Sequence, residues 1–172
     1  MTPRRPATSA NTAAPRQNCP KGAEYVAFSF PGGQHLSELQ FQQLARLSEL
    51  ARQRDFTLVA IQYPLLKSAA DFLDHDEAYR PSSGMWRELR SAATVQRLAT
   101  LGIRFFDLSR APFAADSGNF FDPAHPSERG MLRTFITLLD QKDFQDLFPL
   151  MDKKVLEADL NRSQGEPFDL YH

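Results

Sequence analysis

The sequence predicts an α/β domain with parallel strands, and three observations carry that prediction. Strand-like and helix-like segments alternate from Glu24 onward. One of the strands, Phe56 to Tyr63 (FTLVAIQY), is apolar at nearly every position, the pattern of a strand covered on both faces. A glycine, Gly102, separates the end of an amphipathic stretch from the next strand, where a left-handed residue past a helix end is expected. Alternation of this kind builds a parallel sheet by crossovers, with ligands expected at the carboxyl ends of the strands.

Residues 1–22 carry Pro3, Pro6, Pro15 and Pro20 among small polar residues, too little apolar surface to offset ordering, and are expected to be a disordered tail. The domain is placed at 23–160. Glu24–Phe30 (EYVAFSF) reads as the first strand, stopped by Pro31-Gly32-Gly33. Ser37 and Gln40 have capping-box spacing, and Leu36, Leu39, Leu44, Leu47 and Leu50 then recur at helical intervals, predicting a helix of about four turns. Phe56–Tyr63 is the second strand, ended by Pro64.

From Leu65 to Ser83 the pattern is weak and acidic, so a long loop with one helical turn is expected. Met85 to Leu101 reads as a second amphipathic helix, and Ile103–Leu108 (IRFFDL) as the third strand. The loop Ser109–Phe121 delivers the chain to Asp122 and His125, after which Ser127 caps a helix carrying Met131, Leu132, Phe135, Ile136 and Leu139. Beyond Asp140 one or two further helices are expected, with residues 161–172 a frayed tail.

Composition narrows the function classes. The 172 residues fit one domain, and a formal net charge of -1 gives no reason to expect nucleic-acid binding. Arg4, Arg5, Arg16 and Lys21 cluster in the tail without aromatic residues to stack bases. Cys19 is the single cysteine, which rules out an intrachain disulfide. No stretch approaches the ~20 apolar residues of a membrane span, and no apolar segment follows the N-terminal arginines. As written, the chain is expected in the cytoplasm; a truncated N-terminus would leave an envelope location open.

The chemistry concentrates in Asp122-Pro123-Ala124-His125-Pro126, an acid and an imidazole three positions apart in a loop stiffened by prolines. Two uses fit. Asp122 can cap its own turn through an Asx bond while His125 packs under the last helix, and the spacing taken alone favours this. Alternatively, the carboxylate can hold one ring nitrogen so that the other acts as a general base. His75 with Asp71, Asp74 and Asp76 reads as a solvated acidic loop rather than a metal site. Asp107 at the third strand's end is expected to accept from backbone amides, and Trp86 to be core. No metal or cofactor is assigned.

Three segments resemble the second half of SGNH/GDSL hydrolases and their relatives in bacterial cell-envelope O-acylation, including DltD-like proteins. They are the helix and strand ending in Ala60-Ile61-Gln62-Tyr63-Pro64, then Gly102-Ile103-Arg104-Phe105-Phe106-Asp107-Leu108-Ser109, and above all Phe120-Phe121-Asp122-Pro123-Ala124-His125-Pro126-Ser127-Glu128-Arg129-Gly130. The resemblance implies a three-layer flavodoxin-like α/β fold truncated to three parallel strands with flanking helices. It implies His125 as general base, Asp122 as its orienting acid, and Gly130 as a site of close helix packing.

The family's nucleophile stands in a Gly-Asp-Ser or Gly-x-Ser block after the first strand, and nothing before Asp122 matches it. Ser29, at a strand end before Gly32-Gly33, is the candidate nucleophile because the following backbone amides can face an oxyanion. Gln34 and His35 are secondary polar candidates.

The expected activity is therefore ester hydrolysis or O-acyl transfer on an acyl-ester substrate, such as an acylated polysaccharide or envelope polymer. The alternative is a non-catalytic or truncated domain acting as a subunit. In that case a homodimer or partner covers the sheet edge that the missing strands expose.

Overall fold

The computed structural model describes residues 33–77 and 79–163. The tail 1–22, the expected first strand Glu24–Phe30 and Ser29 lie outside the described residues.

The described chain is a mixed α/β structure built on a short parallel pair. Strand β1 (Val59–Gln62) runs beside β2 (Arg104–Asp107), with Val59 opposite Arg104 and Gln62 opposite Asp107. Side chains alternate across this pair. Val59, Ile61 and Phe106 face a core with Leu138, Leu139 and Phe144, whereas Leu58, Ala60 and Phe105 face Phe41, Leu98 and Ile103. Helices thus cover both faces, which is why β1 reads as an unbroken apolar run rather than an alternating one.

Helix α1 (Glu38–Gln53) begins where expected, with the Gln40 amide donating to Ser37 Oγ. It ends through Asp55, which takes a left-handed φ of 54° before the chain turns into β1. Its buried face carries Phe41, Ser48 and Ala51. Arg97, from the next helical layer, lies 3.7 Å over the Phe41 ring and makes paired 2.6 Å bonds to Glu38.

The segment expected to be a loop with one turn is instead helix α2 (Lys67–His75), nine residues long. Its inward face is Ala69, Ala70 and Leu73, small residues that give a faint apolar signal yet pack closely with Leu65. The expected single helix from Met85 to Leu101 is also corrected. It divides into α3 (Gly84–Leu89) and α4 (Ala92–Thr100) because Ser91 leaves helical geometry and accepts from the Thr94 amide. Gly102 has φ 74°, the left-handed residue the sequence called for.

After β2, two 3₁₀ turns (Pro112–Ala115 and Ser117–Asn119) lead into β3 (Phe120–Asp122) and β4 (His125–Pro126), a small antiparallel hairpin. Ser127 then caps α5 (Glu128–Leu139) by accepting from the Gly130 amide. Helices α6 (Lys142–Gln145) and α7 (Lys153–Arg162) follow; most of the expected C-terminal tail, from residue 164, lies outside the described residues. Among the described residues, no helix is long and apolar enough to cross a membrane.

Candidate active site

The β3–β4 hairpin sets Asp122 directly opposite His125, with Pro123 and Ala124 as the connecting residues. Asp122 Oδ1 accepts from the amides of Ala124 (2.8 Å) and His125 (3.0 Å), which closes an Asx turn. The same carboxylate meets the imidazole: His125 Nδ1 lies 2.8 Å from Oδ2 and 2.9 Å from Oδ1. One carboxylate therefore both closes the turn and contacts the imidazole. The amides immobilise the carboxylate, and the immobilised carboxylate orients the ring.

An ionised carboxylate can only accept, so Nδ1 carries the hydrogen in this pair and Nε2 is left as the basic nitrogen. The expectation that His125 packs under the following helix is corrected, because its side chain is 72% exposed while Asp122 is only 20% exposed. Pro123 within the turn and Pro126 after it lack backbone amides and restrain φ there.

The hairpin is fastened on two sides. Pro123 carbonyl accepts from the Leu66 amide at 2.9 Å, and Ala124 packs against the Leu65, Ala69, Ala70 and Leu73 cluster at the start of α2. On the other side Ser127 donates its amide to Asn119 carbonyl at 2.9 Å and its hydroxyl to Gly118 carbonyl at 3.2 Å. Gly130 lies so close to the preceding turn that a Cβ there would stand 2.0 Å from Asn119 carbonyl oxygen. The close helix packing expected of Gly130 is thus present, and its contact is with backbone. Phe121, next to Asp122, is 73% exposed.

Asp107 accepts from the Ser109 amide at 2.8 Å, the backbone role expected of it. The acidic residues of α2 are engaged by cations. Asp71 pairs with Lys67 and Arg110, and these partners, Lys67 foremost, hold its carboxyl below the ordinary range. Asp74 pairs with Arg90 and Arg110 and accepts from the Trp86 indole N–H at 2.8 Å. Trp86 is therefore more than core filling. Burial lowers the Arg90 pKa, and the negative Asp107 opposes that shift. His75 bonds to Asp71 carbonyl, and His35 lies 3.4 Å from Glu88 while 81% exposed. Among the described residues, no group of three His, Cys, Asp or Glu is arranged to hold a metal ion.

Sequence reasoning singled out Asp122 and His125 but not the groups that seat them. The backbone amide of Leu66 has no sequence signature. Arg90 and Arg110 carried a signal only in hindsight, as arginines at the ends of a helix and a strand that converge on one carboxylate. Nucleophile candidate Ser29 lies outside the described residues, so the pair is seen here without it.

No protein-family model, curated protein or solved structure matches the chain.

Proposed function

We propose that Asp122 and His125 are the acid and base of a serine-type acyl-ester site in an SGNH-like hydrolase or O-acyl transferase. The observation that carries this reading is the 2.8 Å contact between His125 Nδ1 and a carboxylate itself held by two backbone amides. A structural Asx turn needs only the amides; the ring contact is what a general base requires. On this reading the fold is the truncated three-layer SGNH arrangement.

The chemistry follows from the tautomer. Nε2 takes the proton from the serine Oγ as that oxygen attacks the acyl carbonyl, and the imidazolium formed is stabilised by Asp122. The tetrahedral intermediate collapses by breaking the ester C–O bond, and Nε2–H returns its proton to the leaving alkoxide. Water or an acceptor hydroxyl, deprotonated by the same nitrogen, then attacks the acyl carbon; the acyl–Oγ bond breaks and Nε2–H returns the proton to the serine Oγ, giving hydrolysis in the first case and O-acyl transfer in the second. Ser29 is the proposed nucleophile; the Gly33 amide, expected as an oxyanion donor, is instead bonded to Ser82 carbonyl at 2.8 Å and takes no part in that role. An acylated polysaccharide or envelope polymer would suit a base as open to solvent as His125, and its site of action would then be the envelope.

Exposed Phe121 beside the pair favours a second reading, in which the domain is a non-catalytic subunit and this edge meets a partner or a second copy. Hydrolysis of short-chain p-nitrophenyl esters separates the readings when the purified protein is compared with His125→Ala and Ser29→Ala, with oligomeric state measured on the same samples. Turnover lost in both variants supports the site as drawn. Turnover lost only in His125→Ala keeps the base and moves the nucleophile. No turnover by the unmodified protein sinks the catalytic reading.

A further inference from the structure

Helices α2 and α3 each hold a different loop, and one carboxylate joins the helices. At the start of α2, the Leu66 amide bonds Pro123 carbonyl and the Leu65–Leu73 cluster seats Ala124, so this end holds the Asp122–His125 hairpin. At the start of α3, Gly33 donates to Ser82 carbonyl at 2.8 Å, and Met85 donates back to Gly33 carbonyl at 2.9 Å. Glu88 of the same helix accepts from the Leu36 amide at 2.9 Å. Gly84 has no room for a side chain, since a Cβ would stand 2.1 Å from Gln34 carbonyl oxygen. This end therefore holds Gly33–Leu36, which begins four residues after Ser29 in the chain.

The joint is Asp74. Its Oδ1 accepts from Trp86 Nε1 at 2.8 Å and from Arg90 Nη2 at 2.6 Å, both at the α3 side, and Oδ2 accepts from Arg110 beyond β2. Arg90 also lies 4.3 Å over the Trp86 ring and reaches Ser109 Oγ. Asp74 and Arg90 are only 14% and 15% exposed, so their bonds act in a medium where an unpaired charge is costly. Arg87 adds a second link, to Leu73 carbonyl at 3.4 Å.

We infer that α2 and α3 form a bracket that sets the spacing between the Gly33–Leu36 segment and the Asp122–His125 hairpin, with Asp74 as its pin and hence a positioning residue for the site. The inference rests on the proposed ester chemistry for its functional meaning. Its structural content is independent of that chemistry: two loops far apart in sequence are coupled through the α2–α3 contact, in which Asp74 gathers the most bonds.

Amide hydrogen exchange on the full chain, comparing unmodified protein with Asp74→Ala and Trp86→Phe, tests the coupling. In Asp74→Ala the amides of Gly33, Leu36, Leu66 and His125 are expected to exchange about tenfold faster, the factor carried by a charge-assisted hydrogen bond, while α5 amides are unchanged. Trp86→Phe, which removes one donor and keeps both arginines, is expected to give about threefold at the same amides. If Asp74→Ala does not fold, Trp86→Phe decides alone. Acceleration at only one of the two loops, or equal acceleration throughout the chain, overturns the bracket.

Where the protein turns over an ester, Asp74→Ala is further expected to lower kcat with KM unchanged, and an unchanged kcat overturns the positioning role. The coupled exchange pattern in a protein without any turnover would leave the bracket standing and remove the ester reading.

Discussion

Alanine at Gly130 places a methyl group where the backbone of Asn119 already is. The new Cβ would lie 2.0 Å from Asn119 carbonyl oxygen, 3.0 Å from its carbonyl carbon and 3.1 Å from Pro126 Cβ. Real contacts stay above 3.0 Å, so the first turn of α5 must retreat from Asn119 by at least 1.0 Å (3.0 less 2.0). Asn119 cannot absorb the motion cheaply. It is 1% exposed, its carbonyl takes the Ser127 amide, and its side-chain NH₂ donates to Phe113 carbonyl at 2.8 Å.

Overpacking of this kind costs about 1–3 kcal/mol, and losing the Ser127–Asn119 bond adds about 1 kcal/mol. Better helix propensity returns about 1 kcal/mol. The net expectation is a loss of about 1–3 kcal/mol, read as a lower urea midpoint at constant slope. Gly102→Ala is the control: nothing lies within 4 Å of its Cβ position, so only the strain of φ 74° remains, a cost of about 1 kcal/mol. A Gly130→Ala protein within about 0.5 kcal/mol of the parent would refute the close-approach argument.

Asp122→Asn retains an oxygen for the Ala124 and His125 amides but no longer selects the Nδ1–H tautomer. Stability should change little while p-nitrophenyl ester turnover falls by about 10²–10⁴-fold; equal turnover in both proteins would remove Asp122 from the chemistry. Asp71, depressed by Lys67 and Arg110, stabilises the fold above the unfolded carboxyl pKa of about 4, and that contribution fades as pH falls through the lower folded value. Asp71→Asn should therefore flatten the acid limb of a stability-versus-pH curve below about pH 4 and weaken stability at neutral pH. Leu138, 0% exposed between β2 and α6, should cost about 3 kcal/mol on truncation to alanine in the same denaturation assay.

Local signals in the sequence translated well wherever one residue type answers one backbone need. Ser37 and Ser127 cap the helices they precede, Gly102 turns left-handed, and the middle of the FTLVAIQY run, residues 58–61, is half-buried between the Phe41 and Leu138 cores while Phe56 and Tyr63 at its ends are exposed. Helix α2 was illegible because its buried stripe is two alanines and a leucine, while Asp71, Asp74 and His75 suggested solvent. What turns Asp74 inward is Arg90 and Arg110, 16 and 36 positions later by number, and no window of local sequence contains that compensation. At the candidate site, the proximity of Asp122 and His125 was readable from spacing, since three positions closed by a turn bring the two side chains together. The fastening of the hairpin to α2 was not, because it runs through a backbone amide and the methyl of Ala124.

That three-residue separation also bears on how the site comes into being as the chain folds. Closing so short a loop costs little chain entropy, far less than uniting groups from distant strands. The Asp122–His125 contact is thus a low-contact-order element, able to form on the hairpin timescale of about 1–10 μs, ahead of the parallel pairing of β1 with β2. The Asp122 and His125 side chains thus reach the folding domain as one prefabricated unit, before the slower long-range steps are complete.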